Sequence, residues 1–214
     1  MSMKIYWNTV SPLLKATLQQ LMYCEALSEF RLVGGTSLSL QLGHRMSIDI
    51  DIFTDSRYDS INFANIDESL RTLFAYVHTF GSGQVSMGKR YEVGNTKDDT
   101  IKLDLYYTDE YIQPALIVED IRFATVEEII AMKLDIVQRV ARKKDFWDLD
   151  ELMDNYQLDE MLRLHQLRYP YDHDENLIRT NFTNFTKADE EADPMCLRGK
   201  HWEIIKTDIV KAVS

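Results

Sequence analysis

The chain has 214 residues and a hydrophobic fraction of 45%, enough for one domain, or one domain with a helical extension, and too apolar for wholesale disorder. Its net charge of −11 argues against a general surface that coats nucleic acid, although a local basic patch can still hold a phosphate-rich partner. The two cysteines, Cys24 and Cys196, follow neither a metal spacing nor a disulfide framework.

No apolar run approaches the roughly 18 residues that span a bilayer, and MSMKIYWNTV lacks the apolar stretch of a signal peptide. A reduced, soluble, cytoplasmic protein with no membrane partner is expected.

In chain order, residues 11–29 read as a helix, with Ser11 and Pro12 at its start and Leu14, Leu18, Leu21 and Met22 on its apolar stripe. Arg31-Leu32-Val33 reads as a short strand, Gly34-Gly35 as a turn and Thr36 to Leu42 as a short helix. A second strand is expected over 47–53. A helix is expected over Asn65 to His78, burying Ile66, Leu70, Leu73, Phe74 and Val77. Residues 84–93 and 100–107 read as two strands around a GNTKDD loop.

Thr125 and Glu128 form a capping signature for helical pattern running with little interruption to about Tyr156. Further helix is expected near 158–167 and 197–212, with 169–194 the loosest part and a candidate mobile connection. Strands before residue 110 and helices after it define an α+β class: a core over 1–110 and a helical region over 111–214.

The stretch GGTSLSLQLGHRMSIDIDIF, residues 34–53, carries the chemistry. Alternation sends Ile48, Ile50 and Ile52 to one face and Ser47, Asp49 and Asp51 to the other, with the two carboxylates roughly 6–7 Å apart. Like charges that close repel, and a divalent cation with hard oxygen ligands, Mg²⁺ or Mn²⁺, relieves them. A solvated acidic strand face is the plainer alternative, since D-x-D is common by chance.

Gly34-Gly35-Thr36-Ser37 opens a helix, where glycine lets backbone N–H groups approach a phosphate; a simple N-cap by Thr36 or Ser37 competes with that reading. Phosphoryl chemistry on two metals needs a carboxylate from a further strand, and Asp104 in TIKLDLYY supplies one, unless it is only a surface partner of Lys102.

Lys133 lies in the apolar stripe of the 126–142 helix and either snorkels to water or meets an anion. Arg139, Arg142, Lys143 and Lys144 concentrate positive charge in an acidic protein; the plain alternative is dipole stabilisation plus a Lys144–Asp148 pair. Arg45 either contacts phosphate or braces an aspartate, and His44 reads as structural. His173, alone in an acidic loop, reads as solvated.

These residues resemble a known family. Glycine, then Ser or Thr, then D-x-D is similar to motif I of the nucleotidyltransferase superfamily. The GHR-x-S-x-DID wording most resembles the AbiEii/AbiGii-type toxin nucleotidyltransferases of bacterial abortive-infection, phage-defence and toxin–antitoxin systems. EEIIAMKLDIVQRVARKKDFWDLDEL, residues 127–152, resembles that family's helical motif: a Lys, an Arg six positions on, then K-D-x-x-D-L.

The resemblance covers roughly residues 30–155. It implies a nucleotidyltransferase-like mixed sheet flanked by helices, with the helical half completing the site. It further implies a transferase moving NMP from an NTP to a hydroxyl of RNA (tRNA among the options) or protein, Mg²⁺- or Mn²⁺-dependent, and checked by a cognate antitoxin.

In that reading Asp49, Asp51 and Asp104 hold metal and, with Lys133, carry catalysis. Gly34, Gly35, Thr36, Arg45, Ser47, Arg139, Lys144, Asp145 and Asp148 bind the nucleotide. A catalytically silent module that holds a nucleotide or a partner on the same fold is the alternative.

Overall fold

The computed structural model describes residues 3–81 and 87–213. Helix α1 (Pro12–Tyr23) starts at Ser11, whose hydroxyl accepts the Leu14 N–H, and ends at Tyr23, with a 3₁₀ turn over Glu25–Leu27 where the sequence pattern extended the helix. Then follow β1 (Arg31–Leu32), α2 (Gly34–Leu42), β2 (Asp49–Thr54) and α3 (Phe63–Leu73). Strands β3 (Tyr76–Phe80), β4 (Gly88–Thr96), β5 (Asp99–Tyr107), β6 (Leu116–Val118) and β7 (Ile121–Phe123) complete one mixed sheet. Its order is β3-β4-β5-β2-β1-β7-β6. Strands β2 and β5 run parallel at its centre, and β1 pairs antiparallel with β2.

The helical half comprises α4 (Val126–Arg139), α5 (Lys143–Met153), α6 (Leu158–Arg168), α7 (Glu175–Asn181), α8 (Thr186–Asp189) and α9 (Trp202–Val213). Two hydrophobic cores result. In one, Leu14, Leu18 and Leu21 of α1 meet Ile50, Ile52, Leu103 and Leu105 of the central strands. In the other, Leu38 of α2 joins Ile129, Leu134, Phe146, Trp147 and Met161 of the helical half. Alternation along β2 explains the split: its isoleucines enter the first core, while Phe53 packs on the second and leaves Asp49 and Asp51 on the same side. Among the described residues no helix is long and apolar enough to cross a membrane.

Several sequence expectations are corrected. The helix expected over 65–78 stops at Leu73: Phe74 is extended, and Tyr76–Phe80 pairs antiparallel with β4, aligning Val77 with Val93. A run of aromatic and β-branched residues takes the strand once a partner edge is present. Of the strand expected over 84–93, residues 84–86 lie outside the described residues; β4 begins at Gly88 and continues to Thr96, so the hairpin turn is shorter than GNTKDD.

The long helix after Thr125 breaks at Val140, which is extended. Helix α5 then restarts, with the Asp145 carboxylate accepting the Arg142 N–H. The 169–194 connection contains α7 and α8, anchored by buried Ile178 and Phe182. Strands β6 and β7 carry the sheet past residue 110. Ile48 does not join Ile50 and Ile52 in the core: it precedes β2 and is 74% exposed.

Candidate active site

The parallel register of β2 and β5 places Asp51 opposite Asp104 and Asp49 opposite Lys102. Three acidic side chains therefore share one face of adjacent strands. At Asp51 burial, then the charge of Asp104, pushes the carboxyl up to about 6, with Asp49 adding to the repulsion and Lys102 opposing it. Each neighbour already has a cation of its own. Asp104 accepts from Lys102 Nζ at 2.8 Å and Arg90 Nε at 3.2 Å, and Asp49 faces Lys144 Nζ at 3.7 Å. Among the described residues no three His, Cys, Asp or Glu side chains are gathered closely enough to form a metal cage. The donors nonetheless suit a hard divalent cation, and the raised Asp51 carboxyl records the negative crowding that such an ion would relieve.

Helix α2 begins beside these acids. Gly34 adopts φ +67°, and a Cβ there would stand 2.9 Å from Asp51 Oδ2, so only glycine lets the turn pass this close to the carboxylate. A Cβ on Gly35 would strike Arg45 Nη2. Among the described residues no side chain caps this helix start, which leaves a backbone terminus beside the cleft, of the kind that accommodates phosphate. Thr36 and Ser47 sit behind it. The buried Thr36 hydroxyl donates to the Asp49 carbonyl and lies 2.7 Å from Ser47 Oγ, tying the first turn of α2 to the start of β2. Their side chains brace the site instead of facing it.

The residues expected to complete the site from the helical half divide into two sets. Lys133, Asp145 and Asp148 are buried, together with His44 and Arg45. Asp148 Oδ1 receives His44 Nε2 at 2.8 Å and Arg45 Nε at 2.6 Å, while Oδ2 receives Arg45 Nη2 at 2.8 Å and Lys133 Nζ at 2.6 Å. Lys133 also donates to Asp145 Oδ1 at 2.7 Å.

Burial alone would raise the Asp148 carboxyl; Lys133 and Arg45 overcome it and hold the group well below the usual carboxylate range. Two cations against two carboxylates leave no charge for His44, and burial pushes its pKa down. Lys133 thus meets anions that belong to the protein, and it also lines the cleft beside Gly35 and Asp51. Arg45 braces an aspartate with the same guanidinium that underlies Gly35.

Of the basic run, Lys144 and Arg142 line the cleft with Gly34, Gly35, Asp51 and Phe53. Lys144 points to Asp49 and not to Asp148, and burial, then Arg142, pushes its pKa down. Lys143 turns away to Asp193 and Trp202. Arg139 is exposed at the end of α4, holds Asp135 at 3.2 Å and faces an adjoining cavity.

Sequence reasoning missed Arg90, and it left Asp104 as either a ligand or a surface partner of Lys102; the residue is buried and paired with both cations. It also read His173 as solvated, whereas His173 Nδ1 lies 2.8 Å from Nδ1 of buried His165.

A mixed sheet with acids on paired central strands, facing an uncapped glycine-led helix start, is the architecture of a nucleotidyltransferase. Residues 17–213 match the family described as "Nucleotidyl transferase AbiEii toxin, Type IV TA system", and the chain belongs to that family. It is similar in structure to MenT4, a nucleotidyltransferase toxin from Mycobacterium tuberculosis H37Rv, with a TM-score of 0.59 at 17% identity over 94% of this chain and 82% of that one. It is also similar to JHP933 from Helicobacter pylori, with a TM-score of 0.57 at 17% identity over 97% and 90% of the two chains. No curated protein matches it by sequence.

Proposed function

We propose that the chain transfers a nucleoside monophosphate from an NTP to a hydroxyl of RNA or protein in the cytoplasm, as the toxin of a pair whose antitoxin restrains it. The observation that carries this reading is the juxtaposition of Asp51, with its crowded carboxyl, and the Gly34 turn against it. Asp49, Asp51 and Asp104 are the residues that would hold Mg²⁺, which supplies charge neutralisation at the phosphates and acidifies the attacking hydroxyl.

The backbone at Gly34, Gly35 and Thr36 binds the phosphate tail, and Lys144 and Arg142 stabilise charge that develops on it. The acceptor oxygen attacks the α-phosphorus, the bond to the bridging oxygen breaks to release pyrophosphate, and Asp104 accepts the hydroxyl proton. The buried Lys133–Asp148–Arg45 cluster holds the two halves of the site in register.

Incubation with each labelled NTP, Mg²⁺ and either total RNA or cell extract tests the reading. Label is expected in one acceptor fraction with the wild type and not with Asp51→Asn. Folded wild-type protein that labels nothing under any combination overturns it.

A further inference from the structure

The cleft above Asp51 opens at both ends, and the two ends differ in chemistry. Towards residues 191–195 it shares Arg142 and Lys144 with a cavity that Arg45 also lines, where these three cations outnumber the two acids, Asp49 and Glu191. In the other direction it shares Phe53, Met132 and Ile136 with a second cavity of about 380 Å³, within the range of small-molecule sites. That cavity is lined by Tyr58, Tyr107 and Tyr169 and by Asp109, Asp135 and Asp172. Arg139 is the one cation lining it among the described residues, and it already bonds Asp135.

Phosphate is repelled by such a wall and attracted to the opposite end, so the two ends orient a nucleotide. We infer that the tyrosine-walled cavity receives the nucleobase and selects bases that carry an exocyclic amino group. This deepens the transferase reading and rests on it.

The selection follows from hydrogen-bond inventory. Carboxylates only accept. Cytosine, adenine and guanine each present an amino donor. Uracil presents one N–H between two carbonyl oxygens, which the carboxylates repel. Phe53, Met132 and Ile136 supply the apolar floor. The Tyr58 ring, 57% exposed and 5.5 Å from that of Tyr107, supplies a stacking face.

Equilibrium binding of ATP, CTP, GTP, UTP and inorganic triphosphate, in Mg²⁺, to the full chain tests this. The three amino-bearing nucleotides are expected to bind about tenfold more tightly than UTP, and Tyr58→Ala to weaken them by a similar factor while leaving triphosphate unchanged. Asp109→Asn combined with Asp172→Asn, both at exposed positions, is expected to abolish the discrimination against UTP.

UTP binding as tightly as the others, or discrimination surviving the double substitution, overturns the inference while triphosphate binding leaves the transferase reading standing. Failure of triphosphate and of every NTP to bind overturns both.

Discussion

Asp51 and Asp104 are register partners across the parallel β2–β5 pair, and the charge of Asp104 adds to burial in pushing the Asp51 carboxyl up to about 6. Asp104 has Lys102 and Arg90 in contact, whereas Asp51 has burial and two neighbouring negative charges. The site therefore stores electrostatic repulsion at the point where a cation would enter.

That repulsion has a pH signature. The ordinary value is 3.8 and the folded value about 6, so the folded state holds this proton more tightly than the unfolded state. The associated stability is present at low pH and is lost as pH climbs through 6. Asp51→Asn is expected to stabilise the metal-free protein at pH 8 by roughly 1–3 kcal/mol while removing transfer activity. Urea unfolding of both proteins in EDTA at pH 5 and pH 8 measures it; an equal midpoint difference at the two pH values contradicts the assignment.

The Thr36 hydroxyl is a brace for Asp49. Thr36→Val keeps the volume but leaves the part-buried Asp49 carbonyl and the buried Ser47 hydroxyl short of a partner, a loss of about 1–3 kcal/mol. Thr36→Ser retains the donor and is expected to recover most of it. Denaturant midpoints of the two variants decide: if Val and Ser behave alike, the hydroxyl is not holding the strand.

Asp148 is the common acceptor for Arg45, Lys133 and His44. Asp148→Asn leaves two buried cations facing a neutral amide, with only Asp145 to compensate, and is expected to cost about 3–5 kcal/mol. Lys144→Ala, at the cleft wall, should by contrast leave stability close to wild type and weaken NTP binding. Thermal melts separate these, and a melting point near wild type for Asp148→Asn would show that the cluster is dispensable to the fold.

Gly34→Ala forces a side chain into a left-handed backbone position and against Asp51 Oδ2. The conformational part alone costs about 1–2 kcal/mol, and displacement of the carboxylate adds a loss of Mg²⁺-dependent nucleotide binding. Calorimetric titration of NTP with and without Mg²⁺ reads this directly; binding unchanged in both conditions would mean the turn does not abut the ligand.

Much of β2 was legible because its alternation is strict from Asp49 on, and the N-caps at Ser11 and Thr125 formed as their side chains predict. Strand β3 was hidden because Tyr76 and Val77 extend the apolar period of α3 until an edge strand claims them. Strands β6 and β7 have only three residues each, too few for any period to show.

In the site, residue types could be named but not their counter-ions. A lysine on a helix stripe looks the same whether it meets a phosphate or a carboxylate. What decides the matter for Lys133 and Arg45 is Asp148, which joins Arg45 across 103 positions of chain. Local pattern carries no information at that separation.

That long span has a consequence for synthesis. While the chain is emerging from the ribosome, the acidic strand and glycine turn are made first, and Arg45 lacks its counter-ion until α5 has followed. A half-made chain therefore holds an incomplete candidate site. The cleft is assembled only once translation has passed the second half of the molecule.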